Sequence, residues 1–431
     1  MSPRPSARPI FRLALLTLAI SFHCAAQDVR LPPRNIGAVV PPMAAPTVPL
    51  SPGSWSQLDK LVVKGFTQSL GESVSVSGNT VVAGTDPVRD QAAYVFLGSS
   101  SGWHNSLPVA TLAFPPGSTD RFYSFVAIDG DTVVIGCPAF ENIGGGFAYV
   151  FVKPATGWTD MFPVATLSPS GNNDGGFGTS VSISGDTIVV GDGDAGTRGA
   201  AYVFVKPAGG WSNMTETAKL VSSDSSVRDG FGGPVSISGP TVAVGASGFS
   251  TNTGKVYVFV EPAGGWTDMI QTAELTASDG AEGASFGSSI SVSGNNILVG
   301  APSGGSFTNL LGKAYIFTQP PSGWTNMTQT AELTSLDVHP YDSFGRSVSL
   351  SGNLAAVGAP LRGPLPNSDE GGIYIFEEPS GGWHDLTSST VLTASDAHHS
   401  ADFAGSVSLS GKIVVGGSNY FLNAAYVYGL P

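Results

Sequence analysis

Three short stretches of this sequence have residue types and spacings that could support chemistry. Asp192 and Asp194, separated by one glycine, begin like a calcium-binding loop, in which carboxylates alternate with other residues. Residues 98–102 read GSSSG, the pattern that surrounds the nucleophilic serine of many hydrolases. His339 lies near two aspartates, as do His398 and His399, and histidine with aspartate can bind zinc. Whether any of these stretches forms a functional site depends on the secondary-structure elements that position its side chains.

The surrounding sequence argues against all three kinds of site. After Asp192, Gly196 falls at the third calcium ligand and Val203 stands where a bidentate glutamate is needed. The GSSSG stretch occupies a turn between two strands, so it lacks the strand-to-helix elbow of a hydrolase. Histidines in an exposed acidic loop are usually only solvated. We therefore expect no catalytic residue, no metal site and no cofactor, and we expect that the chain is not an enzyme.

The elements around these stretches belong to a unit that recurs seven times. Its first part reads SVSVSGNTVVAG at 73–84 and SVSISGDTIVVG at 180–191, and an apolar run such as AAYVF follows each copy. Alternating apolar and small polar residues, followed by short β-branched runs bounded by glycine, predict strands. The Gly185-Asp186 pair predicts a tight hairpin between the first two. Each unit therefore contains four strands, here named A to D.

A tryptophan accompanies every copy. In six of seven copies a leucine follows it after nine residues, and in six of seven a methionine or leucine follows it after three. This spacing predicts packing at the start of strand D and argues against sugar stacking on one aromatic per blade. The tryptophans are Trp55, Trp103, Trp158, Trp211, Trp266, Trp324 and Trp383.

The two ends of the repeat region predict a closed ring. The seventh unit stops after its third strand, whereas a lone fourth strand starts at Trp55, before the first unit. A repeat of this length indicates a propeller, whose blades leave only short edges. The fold class is therefore all-β: residues 55–431 form a seven-bladed β-propeller of four-stranded antiparallel blades, and the N-terminal strand completes the last blade.

The residues before the repeats indicate export. Residues 1–26 combine arginines, an apolar stretch and small residues before a cleavage site, as a signal peptide does. Residues 27–54 form a Pro-rich spacer. We expect a product that is secreted, periplasmic or associated with the cell surface, without membrane insertion.

Charge and cysteine content narrow the partners. The formal net charge is −13, and removal of the signal peptide would take away basic residues only. Nucleic acid is therefore an improbable partner. Cleavage would leave Cys137 without a second cysteine, and its place beside strand B predicts a small buried side chain. We expect a monomer whose partner is an extracellular protein or a polysaccharide.

Loop lengths point to one face as the recognition surface. The A–B and C–D turns have constant lengths, whereas the B–C loops vary and emerge on the same face as the D–A connectors. Variable loops on a rigid scaffold commonly carry recognition. The ligand-binding candidates, chosen as aromatic or acidic residues of these loops, are Asp192, Asp194, Phe249, Phe307, Asp369, Glu370, Tyr420 and Phe421.

The repeat resembles a known family. Phe177-Gly178, Phe231-Gly232 and similar pairs precede strand A, and Gly-Ala-Pro ends strand B at 300–302 and 358–360. These motifs resemble the FG-GAP repeat, which forms the seven-bladed propeller of integrin α-subunits. Members of that group often hold calcium between strands A and B. The two-residue A–B turn of this chain cannot supply six to eight oxygens, so calcium is not expected here.

The resemblance implies an exported binding or adhesion module without catalysis. Two alternatives stay open: a structural component of the cell envelope, and a hydrolase or lyase built on the propeller. An enzyme would need paired acids or a nucleophile with a base in the loops, and no motif pairs the acids of this chain.

Overall fold

A computed structural model describes residues 54–430 of the chain, with internal gaps. The residues outside the description are 1–53, 65–69, 86–91, 100–101, 105–106, 116–124, 140–145, 172–175, 194–197, 225, 227–228, 249–252, 303–310, 364–368, 389, 419–421 and 431. The expected signal peptide and nearly all of the spacer therefore lie outside the described residues.

The described residues form strands and no helix. The first sixteen strands are β1 (Ser56–Leu61), β2 (Val74–Ser77), β3 (Thr80–Gly84), β4 (Ala92–Leu97), β5 (Ala110–Ala113), β6 (Phe125–Asp129), β7 (Thr132–Cys137), β8 (Phe147–Val152), β9 (Ala165–Leu167), β10 (Phe177–Ser184), β11 (Thr187–Asp192), β12 (Ala200–Val205), β13 (Ala218–Val221), β14 (Val235–Ser238), β15 (Thr241–Ala246) and β16 (Lys255–Val260). The others are β17 (Met269–Ile270), β18 (Ala273–Thr276), β19 (Ser289–Ser293), β20 (Asn296–Ala301), β21 (Lys313–Thr318), β22 (Met327–Thr328), β23 (Ala331–Ser335), β24 (Ser347–Ser351), β25 (Leu354–Ala359), β26 (Gly372–Glu377), β27 (Leu386–Ser388), β28 (Val391–Leu392), β29 (Phe403–Ser410), β30 (Ile413–Ser418) and β31 (Ala424–Gly429).

The strands form seven sheets in the described part of the chain, one for each repeat. Blade 1 is β2-β3-β4-β5, blade 2 is β6-β7-β8-β9, and blades 3 to 6 continue the same antiparallel order. Blade 7 is β29-β30-β31 with β1 paired to β31 as its fourth strand. The predicted seven-bladed propeller and its closure by the N-terminal strand are therefore confirmed.

The serines of strand A join neighbouring blades. Strands A of adjacent blades contact one another around the whole ring. Among the described strands, the inner edge of strand A has no strand partner. In six blades, backbone N–H groups along this edge donate to serine hydroxyls of the preceding blade. Val126 N donates to Ser73 Oγ (3.0 Å), and Val74 N donates to Ser406 Oγ (2.9 Å), which joins blade 7 to blade 1. The alternating serines are thus the hydrogen-bond acceptors of this inner ring in six blades, whereas in blade 2 the Asp129 carboxylate accepts from Gly185 N over 2.7 Å.

The paired glycines allow close contact between blades. Gly232, in the FG position of blade 4, has a φ of +92°, a conformation that favours glycine. A Cβ atom at Gly191, in strand B of blade 3, would lie 2.2 Å from the carbonyl oxygen of Gly232. Only glycine therefore fits at position 191. The glycine that ends strand B and the glycine of the FG pair both allow one blade to pack closely against the next.

Six tryptophans fill the seams between blades, but they are not at the start of strand D. Trp158 is buried among side chains of blades 1 and 2, and strand D of its blade begins only at Ala165. Met161, between them, forms a parallel bridge with Leu112 in strand D of the preceding blade. We call this bridge the clasp. The other clasps pair Leu167 with Met214, Leu220 with Met269, Leu275 with Met327 and Leu333 with Leu386.

Trp55 is not equivalent to the other six tryptophans, contrary to the prediction from spacing. Its strand pairs Lys60 with Tyr426, as Lys219 pairs with Tyr202 in blade 3. Lys219 follows Trp211 by eight residues, whereas Lys60 follows Trp55 by five. By strand register Trp55 therefore takes the clasp position, where blade 3 has Met214. The reason is that β1 joins blade 7 from the N-terminal side of the repeats, whereas every other strand D follows strand C of its own blade.

The core consists of seven clusters, each shared by two adjacent blades. Cys137 is fully buried in one of them, as predicted, and burial raises the pKa of its thiol. None of the described residues forms a helix that is long and apolar enough to cross a membrane.

Candidate functional site

The face that carries the B–C loops and D–A connectors is held together by an aspartate in four connectors. Asp224 lies in the connector that enters blade 4, and Tyr257 of strand C donates its hydroxyl to Asp224 Oδ1 over 2.7 Å. The same bond joins Tyr315 to Asp279 in blade 5 and Tyr426 to Asp396 in blade 7. In blade 6 the pair is Tyr374 and Asp337. We call these four groups the anchors.

Each anchor also contains a cation, but the cation comes from three different places. Lys255 and Lys313 start strand C of blades 4 and 5. In blade 6 a glycine, Gly372, occupies that position, and Arg362 of the B–C loop reaches Asp337 over 2.9 Å. A Cβ atom on Gly372 would lie 3.1 Å from Arg362 Cδ, so the glycine makes room for the arginine. In blade 7 the cation is Lys60 of strand D.

The anchors keep their aspartates charged. Burial alone would raise the pKa of Asp279, but hydrogen bonds from Lys313 and Tyr315 outweigh it and lower the pKa. The balance is the same at Asp224, Asp337 and Asp396. These ion pairs therefore persist at neutral pH and fix the connectors to the bases of the loops.

Around the blade 6 anchor, three large apolar side chains are exposed. Leu336 precedes Asp337 and is 92% exposed, and Tyr341, further along the same connector, is 50% exposed. Leu361 precedes Arg362, is 36% exposed, and donates its backbone N–H to the carbonyl oxygen of Asp342. The Asp337–Arg362 pair and this backbone bond hold the loop and the connector together. We call Leu336, Tyr341 and Leu361 the apolar patch.

The structure places three of the predicted ligand-binding residues. Asp192 is fully buried at the end of β11, paired with Ala200, so it is not a surface contact. Asp369 and Glu370 lie half-buried at the end of the blade 6 B–C loop. The carbonyl oxygen of Asp369 accepts from the backbone N–H of Asp402. The remaining candidates, Asp194, Phe249, Phe307, Tyr420 and Phe421, lie outside the described residues.

Asp402, on the same face, has a carboxyl group with a raised pKa. Burial, with Asp369 nearby, raises its pKa to about 6. Asp402 also has a φ of +46°. The pair links the B–C loop of blade 6 to the connector that enters blade 7.

The histidines do not assemble a metal centre in the described structure. His339 Nδ1 lies 3.6 Å from Asp342 Oδ2, and His398 contacts the carbonyl oxygen of His399. No group of three or more histidine, cysteine, aspartate or glutamate side chains that could hold a metal lies among the described residues. Of the aspartates near these histidines in the sequence, Asp337 and Asp396 belong to the anchors.

Neither the anchors nor the apolar patch was predicted from the sequence, although the sequence contains a signal for each. The anchor aspartate recurs four residues after the leucine of strand D, as Asp224 follows Leu220 and Asp279 follows Leu275. A serine precedes it in three connectors, as Ser278 precedes Asp279. Leu336 takes that place in the fourth, and a leucine that replaces an exposed serine marks an unusual surface position.

Comparison with protein families agrees with the blade architecture. The family model described as FG-GAP repeat matches residues 163–204, 214–259, 269–317 and 327–376. Each match runs from strand D of one blade through strands A, B and C of the next. Residues 56–97, from β1 to β4, follow the same order. No curated protein matches the sequence. With four matched repeats and seven blades of one design, this chain is an FG-GAP repeat protein.

Proposed function

We propose that this chain is an exported, non-catalytic binding or adhesion module that recognises an extracellular protein or glycan through its loop face. The observation that carries the proposal is the apolar patch on the blade 6 anchor. Contact of exposed leucine and tyrosine side chains with water is unfavourable, so a partner that covers them lowers the free energy of the complex. The fold alone does not identify a partner, so the proposal depends on this surface.

The apolar patch resembles a binding surface, and the Asp337–Arg362 ion pair fixes the two loops that carry it. Interface hot spots combine aromatic residues and arginine with neighbours that exclude water. Tyr341 and Leu336 flank Asp337, whose ion pair with Arg362 limits the movement of both loops. Side chains on a fixed frame lose less conformational entropy on binding than side chains on a free loop. The patch favours a protein over a glycan as the partner of this face.

The test is a binding screen of the full chain against matrix proteins, cell-envelope fractions and polysaccharides, followed by two variants. Leu336→Ser introduces the residue found in the equivalent connectors, and we expect it to weaken binding about 10-fold or more. Ile270→Ser is the matched control, because Ile270 is also an exposed aliphatic residue, at 56%, but belongs to a C–D segment. Ile270→Ser should leave binding unchanged.

Two results would contradict the proposal. Equal binding by both variants would show that the patch is not the contact surface. If the full chain binds no component of the screen, the structural role in the cell envelope becomes the better explanation.

A further inference from the structure

The seam between blades 6 and 7 lacks the tryptophan that fills the other six. Each of those six seams contains one buried tryptophan, 5–8% exposed, among side chains of two blades. At the remaining seam, Trp55 takes the clasp position and is only half-buried. Hydrogen bonds confirm the three-residue offset: Gln57 bonds to Ser395 as Gln271 bonds to Ser223. Gln271 follows its tryptophan by five residues, whereas Gln57 follows Trp55 by two.

The walls of this seam are more open than those of the other six. Ile375, in strand C of blade 6, is 8% exposed, whereas every residue equivalent to it in the other blades is completely buried. Thr390 is exposed where blades 1 to 5 have a buried alanine, such as Ala218 paired with Val203. The equivalents of Ile375 are Val95, Val150, Val203, Val258, Ile316 and Val427.

A cavity of about 710 Å³ occupies the seam. Trp55, Leu354 and Ile375 form apolar parts of its wall, and Asn353, Glu377 and Lys412 form polar parts. Its size is that of a small-molecule binding site. It opens among the A–B turns and the ends of strands C, on the face opposite the variable loops.

Two polar residues of the cavity, Glu377 and Lys412, differ from the residues at the equivalent positions of every other blade. Glu377 ends β26, paired with Leu354 across the sheet, and it is exposed. The equivalent positions in blades 2, 3 and 4 are Val152, Val205 and Val260, all half-buried against a tryptophan. The equivalent residues of blades 1, 5 and 7 are Leu97, Thr318 and Gly429, so none of the six seams that hold an indole has a carboxylate at this position. Asn353 Nδ2 donates to Glu377 Oε1 over 3.2 Å, which orients the carboxylate.

We propose that this cavity binds one sugar residue of a glycan. A pyranose ring has an apolar face of C–H groups that can pack on the indole of Trp55, and hydroxyl groups that need both donors and acceptors. Glu377 accepts from hydroxyls, Lys412 donates to them, and Asn353 can do both. A carboxylate and an ammonium in the same wall disfavour a simple anion or cation. The site lies outside the loop face, so it is a second binding site beyond the proposed function.

The experiment is a titration of the full chain with methyl glycosides of neutral hexoses, N-acetylhexosamines and hexuronic acids, followed by tryptophan fluorescence and by ligand-observed NMR. We expect at least one glycoside to bind with a Kd of about 1 mM or lower. Glu377→Val introduces the residue of blades 2 to 4 and should weaken binding at least 10-fold. Thr318→Val, at the equivalent position of a filled seam, is the matched control and should bind like the parent chain.

Circular dichroism and the unfolding midpoint of each variant check that the ring is intact, and Glu377→Gln provides a second variant that removes only the charge. The proposal is overturned if no glycoside binds, or if Glu377→Val and Thr318→Val bind equally. It is also overturned if a peptide of residues 45–53 displaces the sugar, because the chain itself would then be the occupant. Leu336→Ser should leave glycoside binding unchanged, which separates this site from the loop face.

Discussion

The role of the strand A serines as hydrogen-bond acceptors can be tested by comparing two serines of one blade. Ser236 Oγ accepts from Val292 N over 2.9 Å in a buried setting, and Ser238 Oγ accepts from Gly294 N over 3.2 Å in an exposed setting. Ser236→Ala leaves a buried N–H without its acceptor, which costs about 1–3 kcal/mol. Ser238→Ala should cost about 0.5 kcal/mol or less, because water can replace the hydroxyl.

Hydrogen exchange at the amides of Val292 and Gly294 is the assay, since unfolding of a seven-bladed ring need not be two-state. A cost of about 1.4 kcal/mol corresponds to a tenfold change in the opening equilibrium, so exchange at Val292 should accelerate roughly tenfold in Ser236→Ala. The urea midpoint should fall more for Ser236→Ala than for Ser238→Ala. Equal changes in the two variants, or no change in either, would refute the role of the serines as acceptors between blades.

Two further predictions concern backbone geometry and pH. Gly345→Ala should destabilise the protein by more than about 3 kcal/mol, because a Cβ at a φ of +92° would lie 2.5 Å from the carbonyl oxygen of Lys313. Gly352→Ala, with open space around its Cβ, should cost only about 1 kcal/mol, and similar denaturation midpoints for the two would contradict the close-contact explanation. Because the pKa of Asp402 is raised to about 6 in the folded state, its contribution to stability is present below about pH 4 and is lost as the pH rises through about 6. Asp402→Asn should therefore become more stable than the parent chain over this interval, and a constant difference in thermal midpoint from pH 4 to 7 would contradict this.

The sequence predicts the fold because its pattern is local and repeated. Strands A to C follow from alternation, β-branched runs and glycine turns, and Gly185 has the positive φ that its hairpin requires. Closure follows from the lone strand before the first unit. Strand D is the weakest part of the prediction, because the stretch after each tryptophan contains both a clasp and a strand, and the clasp residue pairs with another blade.

Site residues are harder to predict, because they depend on register and on contacts between repeats. Trp55 is a tryptophan like the six that are buried in the seams. Only the pairing of Lys60 with Tyr426 reveals that Trp55 is shifted by three residues relative to them. The cations of the anchors come from strand C in two blades, from a B–C loop in the third and from strand D in the fourth, so the four cations have no single position in the repeat. Exposure of Leu336 likewise depends on the connector conformation, which has no periodic pattern.

Both ends of the described chain lie beside the cavity at the seam between blades 6 and 7. Ser54 and Leu430 both line it, because β1 and β31 are neighbours in one sheet. The propeller is thus suited to circular permutation: a short linker from 430 to 54 would preserve every blade, with new ends opened in any connector. A tag or surface attachment at either natural end of the propeller would also project away from the variable loops, which leaves the apolar patch free to meet a partner.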